Sequence, residues 1–301
     1  MTTRIVSNGS INEGKVSVLS DILSLMKPRL SALVIFTSAL GLFLAPGFIS
    51  PLTAIISIAS TSGLVAGACA INCWMEKDID ALMERTKNRP LPSGRMSPAF
   101  ALAIGVSLVI LCLATLFIFV NFLTGSLGLI ATIVYVFLYT PMKKITSWAL
   151  FAGAIPGAIP PLMGWTSVTN SIGSLGLVLF GILFIWQLPH FLSISMYHAR
   201  DYNNADFKIF PTQIGIRNTI HKIAIYTFGL FLISLLPYYI DQASLVYRNI
   251  VLLLGGGFFA FSLLGYLQEE SPEGLMVWAR RYFYGSLIYL PCVFVAMIVF
   301  K

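Results

Sequence analysis

Nine long apolar runs, at roughly 30–46, 51–71, 98–120, 122–141, 149–167, 172–195, 221–240, 249–267 and 283–300, decide what this chain can become. Each is about the length needed to cross a hydrocarbon core ~30 Å thick. Lipid offers no partner to backbone N–H and C=O groups, so a spanning segment must satisfy its own. The runs are too long, and alternate too little, to be barrel strands. The expected fold is therefore all-α: a polytopic membrane bundle of nine transmembrane helices. Only 10% of the residues are charged, against about 25% in soluble domains. Cys69, Cys73, Cys112 and Cys292 lie in or at the ends of apolar runs and form no CxxC pair. They read as buried thiols in packed helices, without disulfides.

Charge sets the orientation. Residues 1–26 are polar and mixed, and read as a cytoplasmic N-terminal segment with a short surface helix near Val16–Met26 and no cleavable leader. With the N-terminus inside, 17 of the 19 lysines and arginines fall on inside segments, and only Arg248 and Lys301 fall outside. That bias predicts an odd number of spans, N-terminus cytoplasmic and C-terminus outside. It also accounts for the net charge of +7 without nucleic acid, since no soluble basic domain exists to hold a duplex. The outside connections are short and the inside ones long and charged, which places the working face in the cytoplasm. The two longest inside loops follow the second and sixth spans. This recurrence suggests two four-helix halves plus a ninth helix, all within one transmembrane domain over 27–301.

The first of these loops, Asn72 to Arg95, holds four of the twelve acids (Glu76, Asp78, Asp80, Glu84) and five bases (Lys77, Arg85, Lys87, Arg89, Arg95). Asn72, Glu76 and Asp80 are four apart. On a helix each step of four overshoots a full turn by about 40°, so the three share one face. Two carboxylates and an amide oxygen there suit a hard divalent cation such as Mg²⁺; the bland reading is a polar connector. Asp78 lies about 200° from Glu76, so it faces away or caps the turn. Arg85 and Arg89 share a face if the helix continues.

The second loop, Met196 to Gly215, carries Asp201 and Asp206 beside His198, Arg200 and Lys208. Two acid clusters brought together in a low-dielectric mouth would repel unless a cation lay between them. Mg²⁺ shared with an anionic ligand resolves the repulsion. Arg85, Lys87, Arg89, Lys143 and Lys144 are at hand for phosphate oxygens. A diphosphate on a lipid-soluble tail fits such a mouth, and cations there make it a good leaving group. An allylic tail would leave a carbocation, which faces such as Tyr139, Trp165, Trp186, Phe191, Tyr197 and Tyr202 can stabilise. Ordinary packing is the alternative for any one of them. Tyr139 and Lys143, four apart, face the diphosphate end together. His190, inside a span, is a functional candidate by position. It could bind substrate, move a proton, or simply brace the break after Pro189.

These motifs carry a resemblance. Lys27-Pro28-Arg29-Leu30 opens the series, and Asn72-x-x-x-Glu76-x-Asp78-x-Asp80 leads into Met83-Glu84-Arg85-Thr86-x-x-Arg89-Pro90. Tyr139-Thr140-Pro141-x-Lys143-Lys144, Gly157 to Trp165, and Trp186-Gln187-Leu188-Pro189-His190-Phe191 before Asp201-Tyr202 complete it. Together they resemble the protoheme IX farnesyltransferase (heme O synthase) family of intramembrane prenyltransferases. The resemblance implies that farnesyl diphosphate is ionised with Mg²⁺, that the farnesyl group joins a vinyl group of heme b, and that water adds to give heme O. It implies Asn72, Glu76, Asp80 and Asp201 as metal ligands, with Tyr139 and Lys143 beside them. It also implies Arg85, Arg89, Trp186, His190, His198, Tyr202 and Asp206 as substrate-binding residues. The implied setting is a bacterial plasma (inner) membrane, with the lipid bilayer and a downstream heme-modifying enzyme as partners. The chain departs from the family pattern at Glu76, where the family generally has Asp. It departs again at Ala205, where the superfamily often carries an acid. A quinone-precursor or chlorophyll-type acceptor would use the same mouth. A cation transporter would need polar residues through the full thickness.

Overall fold

The computed structural model describes residues 17–269 and 271–301. Fourteen helices follow one another, with no strand among the described residues. A short α1 (Val18–Leu25) precedes α2 (Pro28–Leu44) and α3 (Pro51–Met75), and α4 (Lys77–Asp80) continues beyond a break at Glu76. Then come α5 (Pro98–Phe119), α6 (Phe122–Ile133), a π-helical stretch (Val134–Tyr139) and α7 (Thr140–Ile145). α8 (Ala149–Thr169) and α9 (Ser174–Tyr197) lead into the short α10 (Ala199–Asn204) and α11 (Phe210–Ile214). α12 (Ile216–Tyr239), α13 (Leu245–Leu263, ending in a 3₁₀ turn Leu264–Gln268) and α14 (Pro272–Val299) complete the chain.

Among the described residues, seven helical segments are long and apolar enough to cross a membrane: Pro51–Met75, Pro98–Phe119, Phe122–Ile145, Ser174–Tyr197, Ile216–Tyr239, Leu245–Gln268 and Pro272–Val299. The apolar part of α2, Leu30–Leu44, is shorter. α8 is 21 residues long, but Pro156, Pro160, Pro161 and its glycines dilute its apolar character. These two segments separate the seven from the nine apolar runs of the sequence. The last run was placed from 283, yet α14 starts at Pro272. Backbone hydrogen bonding carries the helix through Arg280 and Arg281, where hydropathy alone stops.

The helix starts follow local chemistry. Ser17, Ser50, Ser97, Asn121 and Ser271 each accept a backbone N–H three residues on, which satisfies one orphan donor per helix. Prolines stand at the first position of α2, α3, α5 and α14, where a missing N–H costs nothing.

Packing is tightest where side chains are smallest. α8 lies between α2 and α9, and a Cβ on Gly41 would sit 1.9 Å from the Pro161 carbonyl oxygen. A Cβ on Gly164 would sit 1.9 Å from that of Ser38. Only glycine permits this approach, the small-residue contact that holds helices together where lipid removes the hydrophobic drive. The outer faces are apolar instead: Ile110, Leu111, Ile118, Phe119, Phe137 and Leu253 are exposed. Cys292 shares that surface; it is exposed on α14, not buried as its apolar run suggested. An outward position in a lipid-facing helix reads the same in sequence as an inward one.

Lys27 stands at one end of α2, and Lys301 donates to the Leu44 carbonyl at the other (3.3 Å). The first and last described segments therefore lie at opposite ends of the bundle. The long connections 76–97 and 198–215 are at the Lys27 end.

Candidate active site

The last turn of α3 supplies the site's floor. Asn72, Glu76 and Asp80 are 0%, 6% and 2% exposed, whereas Asp78 points outward and pairs with Lys77 at 3.0 Å. The helix breaks at Glu76 (φ −98°, ψ 5°), but the hydrogen bonds Glu76 N–Asn72 O (3.0 Å) and Asp80 N–Glu76 O (2.8 Å) survive. The three polar side chains thus keep one face across the break.

Each of them meets a base from elsewhere. Lys27 Nζ donates to Asn72 Oδ1 (2.9 Å). Lys143 Nζ donates to both Glu76 oxygens (2.8 and 3.1 Å). Arg89 Nη1 donates to Asp80 Oδ2 (2.8 Å). Asn72 Nδ2 donates to Thr140 Oγ1 (3.1 Å), and Tyr135 OH reaches Asn72 Oδ1 at 3.5 Å. Burial works against the Arg89 charge, and Asp80 beside it more than restores it, holding the guanidinium above its usual range.

Lys143 and Tyr139 arrive through the π-helical stretch. Pro141 has no N–H to give the preceding turn, and the Thr140 N–H reaches back five residues to the Tyr135 carbonyl. Such wide turns recur at functional sites. Tyr139 packs over Gly153, where a Cβ would come 2.6 Å from its ring, and the Lys143 ammonium lies 4.5 Å above the Tyr139 ring.

The first loop does not continue as a helix, so Arg85 and Arg89 do not share a helical face. Thr86 Oγ1 takes up the Asp80 carbonyl at 2.7 Å, and residues 81–96 form a run of turns through Pro90 and Pro92. Arg89 turns inward and Arg85 stays exposed. A shallow hollow of about 350 Å³ opens beside Asp78, Leu91 and Pro98, away from the buried acids.

The second loop folds onto the first. Ala205 and Phe207 bury against Ile79 and Met83, with Tyr202 and Ile209 beside them. Lys208 N donates to the Lys143 carbonyl (3.0 Å). Burial pushes the Tyr202 phenol up; Arg85 and Lys143 pull it down, and Tyr139 and Glu76 add to the rise. The phenol therefore sits within electrostatic range of Glu76 and Lys143. Asp201 is largely buried and lies 3.8 Å from His198. Burial lowers the His198 imidazole, Arg85 lowers it further, and Asp201 opposes them. Asp206 is on the outside, with positive φ and a 2.7 Å contact to Lys208. Among the described residues no three acid, histidine or cysteine side chains are close enough to share a metal ion; the carboxylates of the two loops are instead matched by bases. His190 and Trp186 lie deeper, against α14.

Lys27, Tyr135 and Thr140 complete the first cluster and were missed as site residues. A signal for Lys27 existed. Pro28 disfavours helical backbone at the residue before it, and Lys27 is left-handed (φ 48°), a strained state for a side chain of its size.

Residues 34–288 match the model of the UbiA prenyltransferase family. A protoheme IX farnesyltransferase of Myxococcus xanthus is 42% identical over 95% of this chain and 96% of its own length. One from Anaeromyxobacter sp. is 43% identical over 92% of each. A solved structure concerned with digeranylgeranylglyceryl phosphate synthase superposes with TM-score 0.77 at 18% identity, over 93% of this chain and 97% of that one. A UbiA homologue from Archaeoglobus fulgidus bound to GPP and Mg²⁺ gives 0.67 at 16% identity, over 92% and 99%. These solved structures share the fold, and the sequence matches settle the family: the chain belongs to the UbiA prenyltransferases.

Proposed function

We propose that this protein transfers the farnesyl group of farnesyl diphosphate to a vinyl group of heme b, giving heme O and diphosphate. The observation that carries the reaction class is the buried face of Asn72, Glu76 and Asp80, each matched by a base, at the end of an otherwise apolar bundle. The choice of acceptor rests on the full-length likeness to protoheme IX farnesyltransferases. The setting is a bacterial plasma membrane, with one domain over 27–301 crossing nine times, N-terminus and site on the cytoplasmic side. The positive-inside bias and the placement of Lys27 and Lys301 at opposite ends support this. A downstream enzyme that modifies heme O would take the product.

The residues fit Mg²⁺. They offer hard oxygen donors on a buried face, and the metal would take the place of Lys143 and Arg89, which balance Glu76 and Asp80 in this structure. Asn72, Glu76, Asp80 and Asp201 would hold the metal, which when bound neutralises charge building on the departing diphosphate. Lys143 and Arg89, now on Glu76 and Asp80, turn to phosphate oxygens, with Arg85 at the rim. The C–O bond breaks and its electron pair leaves with diphosphate. Tyr139 and Tyr202 present π faces to the allylic cation. The vinyl carbon then bonds to the farnesyl C1, and water adds to the resulting cation with loss of a proton.

Incubating purified protein with farnesyl diphosphate, Mg²⁺ and heme b, then resolving hemes by mass, tests this. A hydroxyethylfarnesyl heme is expected. A prenylated aromatic acid instead, with heme untouched, would refute the acceptor.

A further inference from the structure

His190 is held as a ligand is held. Its ring lies 4.5 Å from Trp186 and 4.9 Å from Phe283, at 23° and 33°. Its Nδ1 is 2.7 Å from Ser286 Oγ on α14. That hydroxyl donates to the Phe283 carbonyl at 2.6 Å, and Trp186 Nε1 donates to the Ser286 carbonyl at 2.8 Å. A hydroxyl has one proton to give. With it spent on Phe283, the Nδ1–H must donate to Ser286 Oγ, and Nε2 carries a lone pair. Nε2 makes no hydrogen bond among the described residues, although His190 is only 6% exposed.

Nε2 is not among the fully buried side-chain atoms that lack a hydrogen-bond partner, so it keeps some accessible surface and is open to an outside group. Here one nitrogen is fixed by a serine and the ring is flanked by aromatic planes. Metal-ligating histidines are oriented in this way, through the N–H that does not touch the metal. His190 also sits eight residues before His198 at the loop mouth, about 12 Å along the helix at 1.5 Å per residue. A porphyrin centred there would extend toward the site where the diphosphate leaves. Phe191, beside His190 and 38% exposed, offers apolar surface for it.

We propose that His190 Nε2 is an axial ligand to the iron of the heme b substrate, with Ser286 as its positioning residue. This rests on heme b being the acceptor. The assignment fixes the acceptor by its metal, so a metal-free porphyrin would bind more weakly.

The test is titration of heme b into the detergent-purified full-length protein without farnesyl diphosphate, read by absorbance and by the ferrous iron–imidazole stretch in resonance Raman. Wild type is expected to show histidine ligation. His190→Gly should bind heme at least about tenfold more weakly, lose the stretch, and regain it with added imidazole. An unchanged stretch in His190→Gly overturns the assignment, also where turnover falls, since the ring would then serve proton transfer. Should that variant not accumulate, Ser286→Ala reads the same contact in a folded protein. A shifted stretch supports the assignment and an unshifted one overturns it. If wild type binds no heme b, the acceptor reading falls and this assignment with it; heme binding with no histidine signature overturns the assignment alone.

Discussion

Replacing Lys143 by methionine would keep most of its volume against Tyr139 and remove the cation that pairs with Glu76. The ammonium donates to both carboxylate oxygens, at 2.8 and 3.1 Å, and the side chains are 20% and 8% exposed. Removing one partner of a buried pair costs about 3–5 kcal/mol, because the other charge is left uncompensated. Lys143 retains some contact with solvent, so the low end, ~3 kcal/mol, is the fair figure. That is roughly a hundredfold in the folded-to-unfolded ratio, and about 6 °C at ~2 °C per kcal/mol. Thermal unfolding in detergent of Lys143→Met, Glu76→Gln and the double variant measures it. The double variant should lose clearly less than the two single losses added, by ~1.5 kcal/mol or more. Mg²⁺ added alone should restore part of the Lys143→Met loss and do little for wild type, where the ammonium already holds both oxygens. A loss under ~1 kcal/mol, additive with Glu76→Gln, would refute the idea that this pair holds the first cluster together.

Asp80→Ala should cut heme product formation by about 10²-fold or more while the protein still accumulates in the membrane; near-normal turnover would contradict its place in the site. Asp206→Ala, on the exposed side of its loop, should leave turnover within about twofold, and a large loss would bring that acid into the chemistry. His198 is lowered in the fold, so the unfolded chain takes up its proton first. Stability is therefore full above about pH 6.5 and falls as pH drops below it, until the folded imidazole also protonates. A pH series of unfolding temperatures should show that loss, and His198→Gln should flatten it. Gly164→Ala should destabilise by about 1–3 kcal/mol or more, since its Cβ would meet the Ser38 carbonyl. Gly256→Ala, with nothing within 4 Å of its Cβ, should be neutral or stabilising; equal losses at both sites would undo the close-approach account of the α2–α8 contact.

The helices were legible because lipid forces self-satisfied backbones into long apolar runs. The buried face of Asn72, Glu76 and Asp80 was legible because helical spacing survives the break at Glu76. What escaped the sequence was pairing over distance. Lys27 reaches Asn72 across 45 residues, Lys143 reaches Glu76 across 67, and Ser286 reaches His190 across 96; no local pattern encodes such partners. The turns after Asp80 escaped because the Thr86 hydroxyl, competing for a helical carbonyl, looks like any other threonine in a charged stretch. Asp206 stands on the exposed side of its loop, and spacing says nothing about which side a left-handed residue presents.

The widened coil at Val134–Tyr139 has a bearing on how this membrane segment can evolve. A π turn holds roughly one residue more than an ordinary one, which rotates everything after it by about 100°. Phe137 and Leu138 face outward on the way, so the bilayer side can drift while the catalytic side keeps its phase. Excision of a single residue there would leave composition and hydropathy almost untouched. It would nonetheless swing the basic end of the segment off the carboxylate it serves.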